Sequence, residues 1–216
     1  MKKIRVALAA AVLAAGLLSG CSGSKSGVKL EENKAVIENI GVYVAIPEGW
    51  EVYTGGDIYR AVAEESGSSA EKLKSADEQA GTRFLLLANN PENTMTIQVT
   101  AQDIASDGSG GTLEQPMMPE EYARACHDTA LFDFFASGFH SGGDSVFEEA
   151  AVGSLEGWHS YYEIFLAEED GGGFLCGQNE FLFSAGGEVY SVQTSYISPD
   201  CREAAAEIGV FPYGSE

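Results

Sequence analysis

From residue 146 to residue 197 the chain alternates apolar and polar side chains through four successive runs, and nothing else in it limits the fold as strongly. A period of two places alternate side chains on opposite faces of a strand. The runs cover residues 146–152, 158–166, 174–184 and 188–197. Their joints are rich in glycine: residues 153–157, residues 170–173 and the pair Gly186-Gly187. Four consecutive antiparallel strands are predicted, the last two closed by a two-residue hairpin turn.

Strands also occupy the first half. Residues 41–47 place Val42, Val44 and Ile46 on one face, and residues 47–50 turn the chain into a short returning strand over 50–53. Residues 82–88 and 94–102 form a further pair, joined by Asn89-Asn-Pro-Glu-Asn93, a strong turn signal. The segment 57–80 between them is polar and predicts one short exposed helix over 69–79. A loop rich in Gly and Asp is expected over 104–116.

Pro119 suits a first helical position, and Glu120 and Glu121 favour the positive end of the helix dipole. Met118, Tyr122, Ala125, Thr129, Phe132, Phe135 and Phe139 fall on one helical stripe, which should pack on the strands. Ser198-Pro199-Asp200 supplies an N-cap, a first-position proline and a first-turn acid for a closing helix that ends near Ile208. Runs of strands with segregated helices mean α+β rather than α/β. The expected architecture is an antiparallel sheet with a central helix and a C-terminal helix packed on it, an α-β-α sandwich.

The element order, together with the turn Ile46-Pro47-Glu48-Gly49-Trp50, is similar to the PsbP-type fold of small exported lipoproteins. The resemblance covers about residues 36–212. It implies a module that binds or assembles other proteins rather than a catalyst, and it transfers no site residues, because fold alone does not fix function.

At the N-terminus Lys2, Lys3 and Arg5 precede an uncharged apolar run over residues 6–18, the two parts of a secretory signal. That run is too short to cross ~30 Å of hydrocarbon at ~1.5 Å per residue. Leu18-Ser19-Gly20-Cys21 resembles the lipobox of bacterial lipoprotein precursors. The resemblance implies cleavage between Gly20 and Cys21 and acylation of the Cys21 thiol, with membrane attachment through that cysteine. The predicted organisation is a signal peptide over 1–20, a lipidated cysteine and Gly/Ser-type tether over 21–32, and one α+β domain over 33–216.

The chain carries 12 basic and 33 acidic residues. Three of the basic residues lie in 1–20, which leaves 9 against 33 after cleavage, a formal net charge of −24. Such a surface repels phosphates, so nucleic-acid binding is not expected. Anionic headgroups repel it too, so attachment must come from the acyl chains. The acidity by itself reads as solubility and self-repulsion.

No catalytic constellation stands out. Gly138-Phe-His-Ser-Gly142 has the glycines of a nucleophile elbow with histidine in the nucleophile's place. Ser69 and Lys72 match Ser-x-x-Lys without its companion motifs. The three histidines, His127, His140 and His159, lack zinc spacing and are expected on the surface. Asp103 and Asp107 precede a Gly108-Ser-Gly-Gly111 run whose spacing does not match a calcium loop. No cofactor motif is present. Cys126, Cys176 and Cys201 sit among apolar neighbours, so no required disulfide is expected, and a Cys176–Cys201 bridge has no sequence signal behind it.

The densest polar-aromatic stretch is residues 158–162. Trp158 and Tyr162 share one strand face and His159 and Tyr161 the other, so one pair should be core and the other a candidate ligand patch. The leading reading is a lipid-anchored, extracytoplasmic binding or accessory module with an envelope protein as partner. Two alternatives remain at this point: an envelope hydrolase assembled from scattered residues such as His140 or His159 with nearby acids, and a calcium-responsive adhesion domain.

Overall fold

The computed structural model describes residues 27–106, 109–136, 139–141, 145–166 and 173–214. The signal segment, Cys21 and most of the Gly/Ser tether therefore lie outside the described residues. In chain order come β1 (Val28–Glu31), β2 (Lys34–Ile37), β3 (Val42–Ala45) and β4 (Glu51–Thr54). Helices α1 (Gly56–Ser66) and α2 (Ala70–Ala80) follow, then β5 (Thr82–Asn89), β6 (Met95–Asp103) and helix α3 (Pro119–Ala136). The second half holds β7 (His140–Ser141), β8 (Val146–Val152), β9 (Leu155–Phe165), β10 (Phe174–Ala185), β11 (Glu188–Tyr196), helix α4 (Arg202–Glu207) and β12 (Val210–Pro212).

The fold is α+β, with two antiparallel sheets. The larger runs β4-β5-β6-β11-β10-β9-β7, and β8 also pairs with β9; the smaller runs β1-β2-β3-β12. β7 meets β9 at Phe165 and Ile164 and β8 meets it from Tyr161 to Leu155, so the two lie end to end along one edge. The predicted hairpin forms: Ala185 pairs with Glu188 across Gly186 and Gly187, both at positive φ. At the β5–β6 turn the Asn90 side chain accepts from the backbone N–H of Thr94 and Met95 at 2.8 and 2.9 Å.

Alternation then sorts the large sheet's two faces. One carries Leu86, Ile97, Val99, Phe183 and Val192, and buries them against Ala35, Ile37, Val42 and Val44 of the small sheet and Ala205 of α4. The other is covered at one end by α1 and α2, where Ile58 packs on Phe84 and Leu87. At its other end α3 sets Ala123 against Leu182, and Ala130 against Tyr162 and Ile164.

Several expectations change. Strand pairing begins at Val28, inside the stretch assigned to the tether over 21–32. The polar segment 57–80 holds two helices rather than one, because Ile58, Tyr59 and Val62 of α1 line up on the sheet. Ser69 caps the second helix, its hydroxyl accepting from the Lys72 N–H at 3.2 Å. The helix over residues 70–80 is not wholly exposed, since Asp77 and Ala80 are buried.

Helix α3 turns a different face inward from the predicted stripe. Met118 and Phe132 are 63% and 69% exposed, whereas Ala123, His127 and Ala130 are buried. The period is right and the phase is about one residue off. The sheet beneath already supplies the bulk, through Trp158, Tyr162 and Leu182, so small helix residues complete the packing.

Candidate functional site

Beyond the core, the end of the small sheet, the β5–β6 turn and α4 enclose an open groove of about 770 Å³. Its wall starts with β3. Because Val42 and Val44 point into the core, Tyr43 and Ala45 must point out. Phe211 of β12 pairs directly opposite Tyr43, and the two rings stack at 5.3 Å with an interplanar angle of 27°. The Lys34 ammonium lies 4.5 Å from the centroid of the Tyr43 ring. After β3 the Pro47-Glu48-Gly49 turn, with Gly49 at φ +84°, brings half-buried Trp50 to the same groove.

Apolar side chains of Ile46, Met95 and Ile208 form the floor, and Glu32, Glu48, Glu92 and Glu207 stand around the rim. The described lining holds no histidine, cysteine, serine or threonine. Beside its carboxylates, the groups there that could serve acid–base or nucleophilic chemistry are the Lys34 ammonium, held over the Tyr43 ring, and the Tyr43 hydroxyl. What it offers is rigid aromatic area, apolar contact and negative charge.

The stretch 158–162 does not form one patch. Trp158 packs with Ala123, Leu182 and Val189 under α3, and Tyr162 is buried there, its hydroxyl donating to Gln178 Oε1 at 2.8 Å. His159 and Tyr161 occupy the opposite face. The His159 ring stacks on Phe181 at 4.8 Å and its Nε2 donates to Asn179 Oδ1 at 2.6 Å. Its Nδ1 lies 3.4 Å from Glu148. The Tyr161 hydroxyl is 3.5 Å from that of Tyr196.

His127 corrects the expectation of surface histidines. It is 6% exposed, and its Nδ1 shares a 2.9 Å hydrogen bond with the hydroxyl of Ser160, which has no exposed surface. Burial lowers its pKa. A serine beside a histidine suggests acyl transfer, but no substrate carbonyl can reach a hydroxyl sealed beneath a helix. The pair instead ties α3 to β9. Burial likewise pushes the Cys126 and Cys176 thiols up to about 12, so neither is a nucleophilic thiolate at neutral pH. Glu180, beneath α3, is raised by burial while Ser191 and Gln178 donate to its carboxylate.

The remaining candidates are scattered. Asp103 spends Oδ1 on the Ala105 N–H at 2.9 Å, an ordinary turn closure, and Asp107 lies outside the described residues. His140 belongs to β7, and its side chain lies outside the described residues, as does Cys21. The described cysteines Cys126, Cys176 and Cys201 are free thiols. No group of three or more metal-ligating side chains forms among the described residues. No helix among them is long and apolar enough to cross a membrane.

The groove residues escaped the sequence reading. Trp50 stood in the turn motif, but Tyr43 read only as a strand residue, and Phe211 belongs to a three-residue strand with too little pattern to detect.

No protein-family model matches the chain, and no curated protein matches its sequence. Among solved structures, the chain is similar to cyanobacterial PsbP (CyanoP) from Synechocystis sp. PCC 6803, with a TM-score of 0.48 and 11% identity over 91% of this chain and 99% of that one. It is also similar to LpqN, involved in cell envelope biogenesis of Mycobacterium tuberculosis, with a TM-score of 0.38 and 10% identity over 79% and 82% of the two chains.

Proposed function

We propose that this protein is a lipid-anchored accessory module on the extracytoplasmic face of a cell membrane, and that it engages an envelope protein through the Tyr43–Trp50–Phe211 groove. One observation carries the binding half of the reading: the open groove is walled by aromatic rings over an apolar floor, and its described lining holds no histidine, cysteine, serine or threonine. Against a hydrolase stands the separation of the parts, since His127 and Ser160 are sealed under α3 while His159 is engaged by Asn179 on the other face. The anchor half is supported by residues 2–21, where a basic start, a short apolar run and Leu-Ser-Gly-Cys follow in order.

Two measurements test the two halves separately. Cys21→Ala should move the protein from the detergent phase to the aqueous phase, and intact-mass analysis of the wild type should show an acylated Cys21 with residues 1–20 removed. Unchanged partitioning would sink the anchor. A photo-crosslinking residue at position 211 should capture a discrete partner in intact cells. Capture at position 206, an exposed α4 residue about half a turn round from groove-lining Ala204, with none at 211 would sink the groove.

A further inference from the structure

The occupant of the groove can be argued from what already sits in it. Lys34 and Phe211 reach Tyr43 from β2 and β12, the strands on opposite sides of β3. One neighbour offers a ring and the other an ammonium, so the outer wall of the groove is a cation seat with an intramolecular cation on it.

The surroundings favour the same charge. Four carboxylates, Glu32, Glu48, Glu92 and Glu207, border the groove, and Lys34 is its single basic lining residue. None of the four takes part in an ion pair among the described residues. Anionic ligands are repelled, and so is a second copy of a chain with 33 acidic residues.

Size and floor narrow the class further. A volume of about 770 Å³ is many times that of a lone ammonium group, and Ile46, Met95 and Ile208 offer apolar contact beside the aromatic wall. Lysine and arginine match this mixture, since they lay an apolar stem along a surface and keep the charge at the tip.

We propose that the groove receives a lysine or arginine, flanked by apolar residues, from a basic segment of a partner protein, and that Lys34 occupies the seat over Tyr43 in the partner's absence. The proposal rests on the groove being the binding site and adds the chemistry of what enters it. Lys34 is then an internal competitor, and its removal has a sign that no other role shares.

The test is calorimetric titration of the purified full chain with the peptide acetyl-Leu-Lys-Leu-Lys-amide. Wild type should bind, more weakly as salt rises. Lys34→Ala should tighten binding roughly three-fold, the worth of one exposed cation–π contact. Glu48→Lys with Glu207→Lys, both on exposed positions, should abolish it without touching the core. The same peptide with norleucine for lysine should not bind.

Weaker binding in Lys34→Ala would overturn the proposal, because Lys34 would then be recruiting rather than competing. Equal binding of the norleucine peptide would overturn it as well, leaving a merely apolar groove. Binding to phosphatidylethanolamine vesicles with none to the peptide would replace the protein segment by a lipid surface. If the peptide fails while the crosslinker at position 211 still captures a partner, the cationic class is wrong and the groove stands; if both fail, both fall.

Discussion

Arg202 places Nε 2.6 Å from Oε1 and one terminal nitrogen 2.7 Å from Oε2 of Glu163, a fork on a fork that joins the first residue of α4 to β9. The Tyr196 hydroxyl donates to the same carboxylate at 2.7 Å. Through this contact α4, which carries Glu207 toward the groove rim and leads into Ile208 of its floor, is fixed to the large sheet.

Burial alone would raise the Glu163 pKa, but Arg202 and Tyr196 outweigh it and hold the carboxyl below its ordinary value. A carboxylate depressed in the folded state stabilises above its unfolded pKa of ~4.3, and the contribution is lost as pH falls through the lower folded value. Arg202 is half exposed, so solvent screens part of the pair. Arg202→Ala should lower the melting temperature at pH 7. Thermal melts should show the gap to wild type closing below about pH 4. A gap that stays constant down to pH 3 would show that the loss is packing and not charge.

The buried pair beneath α3 titrates in the same direction for another reason. Burial favours neutral His127, so its contribution is present above the unfolded histidine pKa of ~6.5 and declines as pH falls and the unfolded chain takes up a proton. Ser160→Ala leaves the imidazole Nδ1 without its partner and should cost about 1–3 kcal/mol. That corresponds to a melting temperature lower by roughly 2–4 °C per kcal/mol. A melting temperature unchanged in Ser160→Ala would mean that water or a neighbour replaces the hydroxyl.

How much of this was legible follows from distance along the chain. Strands β8 to β11 were readable because alternation and the glycine joints are local signals, and the Gly186-Gly187 turn fixes its own register. The phase of α3 was not, because it depends on the volumes of Trp158, Tyr162 and Leu182, which belong to strands elsewhere in the chain. His127 read as a surface residue because its partner Ser160 lies 33 positions away. One side of the groove comes from residues 32–50, but it is closed by the β5–β6 turn, α4 and Phe211 of β12, which lie far along the chain and carry no local signal of the meeting.

Gly177 shows how tightly the sheet is built around Tyr196, its direct cross-strand partner. A Cβ at 177 would overlap the Tyr196 ring, whose Cζ, hydroxyl and Cε2 are its nearest neighbours. Gly177→Ala should therefore displace the ring, cost about 1–3 kcal/mol and remove the hydroxyl from Glu163. Combined with Arg202→Ala, the loss should be smaller than the two separate losses added, because both act on one carboxylate. Strict additivity in denaturant titrations would mean that the ring moves without leaving Glu163.

Asp77 gives the opposite pH response, and so separates its origin from the others. It lies on α2, 3% exposed, with the Tyr59 hydroxyl of α1 as its hydrogen-bonding neighbour. Burial raises its pKa to about 6, and the tyrosine only partly offsets that. An acid raised in the folded state is most favourable below its unfolded pKa of ~3.9, where both states are protonated. As pH climbs toward 6 the unfolded chain ionises first, stability falls, and above about 6 the folded protein carries a buried charge. Asp77→Asn keeps the shape and removes that charge, so it should raise stability at pH 7.5 by up to about 3 kcal/mol and leave it nearly unchanged at pH 4. Melting curves of the two proteins across pH 4–8 decide the matter. A variant less stable than wild type at pH 7.5 would show that ionised Asp77 is held by a favourable contact and that burial does not dominate its titration.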